Sequence, residues 1–136
     1  MLKFFSAMPR IFIQKVHIVG MYHYGNRQLD INSRNRLVRD AENRYDRDAV
    51  KVVSYLDESK TVAFISRHHA PIFSDFLDSG LVLNNSILMK PKFPVKTIKR
   101  VPTQLCTVAF YVSHDKLPKV TARLESAGFG YHIEHC

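Results

Sequence analysis

Apolar and polar positions alternate along much of the chain, and this alternation predicts short β-strands. The first run, Ile11–Val19, is dense in β-branched residues and ends at Gly20. Further runs of this kind follow at Asn35–Arg39, Ala49–Tyr55, Thr61–Ile65, Leu81–Met89 and Leu105–Val112. Short strands of this type, separated by turn residues, are typical of a small barrel.

Two other segments have helical spacing. Ser66–Asp78 begins with a residue that can cap a helix, has Pro71 near its first turn, and stops before Gly80. Leu117–Ala127 stops before Gly128. The apolar faces of these helices comprise Ile72, Phe73, Phe76 and Leu77 in the first, and Leu117, Val120 and Leu124 in the second. We therefore predict a mostly β fold, an OB-like six-stranded β-barrel with two helices packed outside it.

The chain of 136 residues has the length of one domain. We predict an N-terminal extension over residues 1–10, a domain over 11–131 and a loose C-terminal tail over 132–136. No apolar run reaches membrane length, and the first residues are too short for a secretory signal. Cys106 lies in an apolar strand pattern, so we expect a buried free thiol in a reducing, intracellular compartment.

The positive charge of the chain indicates the kind of partner that the protein binds. The formal net charge of +8 favours an anionic partner, with nucleic acid the first candidate. Between Arg27 and Arg47 there are six arginines and no lysine, and Lys90–Arg100 holds five cations and no acid. Guanidinium groups suit phosphates. The alternatives are a solvated loop whose arginines pair with its own acids, and a solvated basic hairpin.

One polar loop stands between two apolar β-type runs. The segment Leu37–Val52, together with Val19–Tyr24 upstream, resembles the signature of the HIRAN domain. This family is a small β-barrel module of replication-fork-remodelling helicases that also occurs alone or beside nuclease domains. The resemblance runs from about Lys15 to about Tyr131. It implies binding of the 3′ end of single-stranded DNA, a setting in DNA replication and repair, and a nuclear location if the source is eukaryotic.

The resemblance assigns roles to residues of the loop. Asn43, Tyr45 and Asp46 match the family's loop asparagine, its base-stacking tyrosine and the aspartate that accepts from the 3′-hydroxyl. Such a carboxylate repels a continuing phosphate and therefore selects ends over internal sites. The alternative for Asp46 is a turn-capping side chain, and for Tyr45 a half-buried loop anchor.

Other positions depart from the helicase pattern. Where the helicase members carry a phosphate-binding arginine and then a stacking tyrosine, this chain has Tyr22 and His23, and Phe64 replaces a phosphate-contacting histidine. Arg67 stands where the family has a lysine, and Phe110 or Tyr111 in the late strand approximates an aromatic residue that lines the pocket. The expected nucleic-acid site therefore comprises Tyr22, His23, Tyr24, Asn43, Arg44, Tyr45, Asp46, Phe64, Arg67 and Phe110.

No catalytic motif accompanies this site. A nucleophile elbow, a P-loop, paired catalytic carboxylates and an H-E-x-x-H motif are all missing from the sequence, so we expect a non-enzymatic module without a cofactor. Candidate metal ligands occur at His68, His69, His132, Glu134, His135 and Cys136, in spacings that do not close a tetrahedral site. The expected partner is single-stranded DNA, with helicase or nuclease proteins alongside. The rivals are an assembly module that has lost DNA binding, and an accessory piece of a nuclease or helicase complex.

Overall fold

The computed structural model describes residues 8–135. Most of the predicted N-terminal extension, and Cys136, lie outside the described residues. The strands are β1 (Arg10–Val19), β2 (Asn35–Arg39), β3 (Val50–Ser54), β4 (Thr61–Ile65), β5 (Leu88–Pro91), β6 (Lys96–Ile98), β7 (Val101–Tyr111) and β8 (Tyr131–Glu134). The helices are α1 (Ala70–Ser79) and α2 (Leu117–Ser126), and short 3-10 turns span Met21–Tyr24 and Asn84–Ser86. Within these residues, no helix is long and apolar enough to cross a membrane.

Antiparallel pairing closes the sheet into a barrel. The ring runs from β1 through β4, β3, β2, β5 and β7 and returns to β1. Strands β6 and β8 lie outside this ring, since β6 pairs with β7 and β8 pairs with β1. The predicted six-stranded barrel with two helices is therefore confirmed.

A bulge lets β1 pair with different neighbours along its length. Its first half, Arg10–Ile13, pairs with both β7 and β8, and its end, Ile18–Val19, pairs with β4. Between them Lys15 has a φ of 57°, and the register against β7 shifts. Bulges bend strands, so β1 leaves β8 and turns toward β4. The strand then ends at Gly20, which leads into the first 3-10 turn.

The core forms from the inward residues of the strands and from one face of each helix. Its fully buried members include Ile11, Ile13, Ile18, Val52, Met89 and Val108. Phe76 of α1 packs edge-on against Phe110 of β7, with 5.6 Å between ring centroids. Burying such a side chain stabilises the fold by about 1.5–3 kcal/mol. Val120 and Leu124 are buried on α2, as its apolar spacing predicted.

Several predicted boundaries are wrong. Helix α1 begins at Ala70 instead of Ser66, because Pro71 sets its first turn. The predicted strand Leu81–Met89 is a loop with a 3-10 turn as far as Ile87, and burial of Leu81, Val82 and Ile87 without strand pairing produces the same apolar run. The prediction of a loose tail over 132–136 is also wrong, because residues 132–134 belong to β8, which pairs with β1.

Two buried polar side chains of β7 make hydrogen bonds within the barrel. The amide of Gln104 accepts from Leu29 N at 2.9 Å, and donates to Leu29 O at 2.8 Å and to Phe93 O at 3.0 Å. These bonds hold the long excursion before β2 against β7. Cys106 is a buried free thiol, as predicted, with Sγ 3.2 Å from Val16 O, and burial raises its pKa.

Candidate nucleic-acid interface

The loop between β2 and β3, residues 40–49 and hereafter the signature loop, is shaped by side chains that bind its own backbone. Asn43 Oδ1 accepts from Tyr45 N at 2.9 Å and from Asp46 N at 3.0 Å. Asp46 Oδ1 accepts from Asp48 N at 2.9 Å. The turn-capping role considered for Asp46 is therefore present. Its other carboxylate oxygen makes no hydrogen bond within residues 8–135.

Tyr45 points away from the protein. Its side chain is 88 % exposed, which excludes the alternative of a half-buried loop anchor. Its backbone is held in place, because Arg67 Nη2 donates to Tyr45 O at 3.1 Å while Asn43 holds Tyr45 N. An exposed ring on a fixed backbone is a suitable platform for stacking.

Arg39 fixes the base of the signature loop, a role that the sequence did not predict. Its Nε donates to the carboxylate of Asp78 on α1 at 3.1 Å. Its two terminal nitrogens donate to Ala49 O and Arg47 O, each at 2.8 Å. Arg39, the last residue of β2, therefore joins that strand to the far end of the loop and to α1. From the sequence alone, an arginine at the end of a strand that holds a loop looks the same as one that is exposed to solvent.

A second group of aromatic side chains lies beyond the end of β1. The 3-10 turn is bracketed by Gly20 (φ 80°) and Gly25 (φ 83°), both in the left-handed region that favours glycine. The Tyr22 side chain is 79 % exposed, and His23 is exposed as well. These two side chains are therefore free to meet a ligand.

Tyr24 connects this turn to β4 and to the signature loop. Its ring lies 6.2 Å from that of Phe64, which is half-buried and pairs in register with Lys51 of β3. Burial, and then the negative charge of Asp40, raise the pKa of Tyr24. Both effects favour the protonated phenol. Because Asp40 belongs to the signature loop, its effect on Tyr24 also indicates that the two lie near each other.

The arginines are not neutralised by the acids of the loop. Arg36 pairs with Glu58 and Arg39 with Asp78, both outside the loop, while Arg34 lies over the ring of Tyr55 at 5.9 Å. Across residues 8–135, the arginines without an ion pair are Arg27, Arg44, Arg47 and Arg67, together with Arg10 and Arg100 and the cation–π partner Arg34. The alternative of a self-paired loop is therefore not what the structure shows. Positive charge remains available around Tyr45.

One predicted site residue lies elsewhere. Phe110 is 1 % exposed and faces the barrel interior against Phe76, so the prediction that it lines the site is wrong. Asn43, Arg44, Tyr45 and Asp46 share the signature loop, and Arg67 joins them through its hydrogen bond. The remaining predicted residues, Tyr22, His23, Tyr24 and Phe64, form the neighbouring aromatic group.

Three histidines, which the sequence did not bring together, pack next to Arg67. Ring nitrogens of His17, His68 and His69 lie within 4.8 Å of one another. Tetrahedral zinc requires nitrogens about 3.4 Å apart, and His69 Nδ1 already accepts from His17 N at 3.1 Å. Burial, then the neighbouring His68 and His17, lower the pKa of His69 to about 4. The three rings pack against one another, and His69 is uncharged at neutral pH.

Comparisons with known proteins agree with this geometry. The crystal structure of the HIRAN domain of human HLTF matches with a TM-score of 0.68 and 21% identity, over 89% of this chain and 96% of that one. The NMR structure of the HLTF HIRAN domain in its DNA-bound conformation matches with a TM-score of 0.63 and 21% identity, over 86% and 88%. At such identities these likenesses establish the fold. No curated protein sequence matches the chain. The HIRAN domain family model matches residues 11–105, most of the chain, and the protein therefore belongs to the HIRAN domain family.

Proposed function

We propose that this HIRAN domain binds single-stranded DNA and holds a free 3′-hydroxyl end against the signature loop. The observation that carries the proposal is Tyr45, an 88 % exposed ring on a backbone fixed by Asn43 and Arg67. Stacking on such a ring contributes ~1–3 kcal/mol per base and tolerates any base. The HLTF HIRAN domain, which has the same fold, has a structure in a DNA-bound conformation, and this supports DNA as the ligand class.

In this proposal each group acts on a different part of the strand end. Tyr45 stacks on the terminal base, and the unbonded Asp46 oxygen accepts from the 3′-hydroxyl. The same carboxylate repels a strand that continues in a phosphate. Arg44 and Arg67 bind the neighbouring phosphates, since both are exposed and have no ion pair within residues 8–135.

The aromatic group beside the loop receives the next base. Tyr22 and His23 are exposed, and the Tyr24 ring, 40 % exposed, contacts the half-buried ring of Phe64. Aromatic rings here replace two phosphate contacts that the helicase pattern places at these positions. We therefore expect stacking to supply a larger share of the affinity than in those relatives.

The experiment is a titration of labelled single strands that end in 3′-hydroxyl or 3′-phosphate, with a circular strand as the endless control. A hydroxyl that donates to a carboxylate contributes about 1.5–3 kcal/mol, so the wild type is expected to prefer the free hydroxyl by roughly tenfold or more. Equal affinity for all three strands would show that the protein does not read ends.

Two variants separate the charge of Asp46 from its role in the turn. Asp46→Ala removes both and is expected to bring the hydroxyl preference close to unity. Asp46→Asn keeps an oxygen that can accept from Asp48 N, so its melting temperature should stay near that of the wild type. Its discrimination against the 3′-phosphate is nevertheless expected to fall, because the repelling charge is gone. An Asn variant that discriminates as well as the wild type would contradict the proposed role of the carboxylate.

A further inference from the structure

The hairpin formed by β6 and β7 has an unusual turn. Ile98 pairs with Val101, so the turn consists of Lys99 and Arg100 alone. Both residues have positive φ, 49° and 68°. A two-residue turn with two positive φ values is strongly favoured by Asn-Gly, and side chains with a Cβ are strained there. The hairpin thus presents two cations at positions where other residues would stabilise the fold better.

The cations of this turn are available to a ligand. Lys96, Lys99 and Arg100 are all exposed. Within the described part of the chain none of them forms an ion pair, and the segment Lys90–Arg100 contains no acid. The tip of the hairpin is therefore an uncompensated positive surface.

The hairpin also forms one wall of a groove. Lys99 and Val101 border a groove of about 450 Å³ to which Arg67 and His68 also contribute. Val101 borders a second groove as well, of about 390 Å³, which Tyr22 and Arg27 line. Val101 borders both grooves, so the groove at Arg67 and the groove at the exposed aromatic turn are neighbours on either side of the start of β7.

We infer that the β6–β7 hairpin is a second wall of the nucleic-acid site and that the backbone of a single strand runs along it. Lys99 and Arg100 bind phosphates interior to the bound end, opposite Arg67. The inference rests on the proposed function. Cations on both walls and an apolar floor at Val19 and Val101 fit a flexible polyanion with exposed sugar and base faces.

The test replaces the turn with its preferred residues, Lys99→Asn with Arg100→Gly. Relief of the positive-φ strain is expected to leave the melting temperature unchanged or raise it by a few degrees. For a strand of about ten nucleotides, loss of two phosphate contacts is expected to lower affinity about 25-fold at ~0.1 M salt and to reduce the log–log salt slope by ~1.4. A strand of about two nucleotides, which reaches the signature loop and the aromatic group beside it but not the tip of the hairpin, is expected to bind as before.

The control makes the same change in net charge elsewhere, with Lys60→Asn and Lys119→Asn on the β3–β4 turn and on α2. It is expected to keep the wild-type slope for both strand lengths. The inference is overturned if the hairpin variant binds the long strand like the control, or if the short strand weakens as much as the long one. If the wild type itself does not bind single strands at low salt, the proposed function is wrong, and the inference about the hairpin is wrong with it.

Discussion

At the scale of single residues, the side-chain atoms that fix the backbone of the signature loop are different from the atoms that the loop exposes. Asn43 binds the backbone at Tyr45 and Asp46, and Asp46 uses one oxygen to hold Asp48 N. These local bonds fix the loop without covering the Tyr45 ring or the second Asp46 oxygen. The loop can therefore expose the Tyr45 ring and the second Asp46 oxygen to solvent while its backbone stays ordered.

Tyr45 gives the first prediction at this scale. Tyr45→Ala is expected to lower single-strand affinity by about 1–3 kcal/mol, because the stacking surface is lost. The melting temperature should not change, since the side chain is 88 % exposed. Tyr45→Phe is expected to bind like the wild type. Fluorescence anisotropy and thermal denaturation measure the two quantities, and a fall in melting temperature with unchanged binding would contradict the stacking role.

At the scale of elements, Arg39 connects the end of β2 to the far end of the signature loop and to α1. Arg39→Met removes its bonds to Ala49 O, Arg47 O and Asp78, and is expected to lower the free energy of unfolding by about 1–3 kcal/mol. Urea denaturation measures this change, and hydrogen exchange should be faster at the Ala49 amide. Lys119→Met, an exposed change on α2, is the control and should leave both unchanged. An equal effect of the two substitutions would show that Arg39 does not hold the loop.

The strands also show how much of the fold can be predicted from the sequence. β1 and β2 were predicted well because one face of each is largely buried, which produces an alternating pattern, and β4 because it is a short apolar run that follows turn residues. The predicted strand Leu81–Met89 failed because Leu81 and Val82 are buried in a loop, and burial without regular backbone pairing produces a similar apolar run.

Long-range contacts explain the rest of what the sequence did not reveal. Gln104 binds the backbone of Leu29, and His17 meets His69, through contacts that no local pattern records. Phe110 was assigned to the site from a loose resemblance in a late strand, and the inward face of that strand buries it. The signature loop was located correctly because its residues are adjacent in sequence. Its binding role stays a prediction.

At the scale of the whole molecule, the arrangement of charge is the relevant property. The net charge of +8 alone would favour any polyanion. In the structure, unpaired cations of the signature loop, of Arg67 and of the β6–β7 hairpin lie beside exposed aromatic rings. We therefore expect single strands to bind more tightly than duplexes, because bases can stack on aromatic rings only when they are not enclosed in a helix.

Salt dependence tests this property of the whole surface. Each phosphate neutralised on a single strand contributes about −0.7 to the log–log slope of affinity against salt, so four contacts predict a slope of about −3. Arg67→Ala is expected to reduce the slope by about one contact, whereas Arg67→Lys keeps the charge and should keep the slope. Titrations at several salt concentrations measure it for each variant. A flat response in the wild type would exclude a nucleic-acid backbone as the partner. An unchanged slope in Arg67→Ala would place that arginine outside the interface and leave its bond to Tyr45 O as its only role.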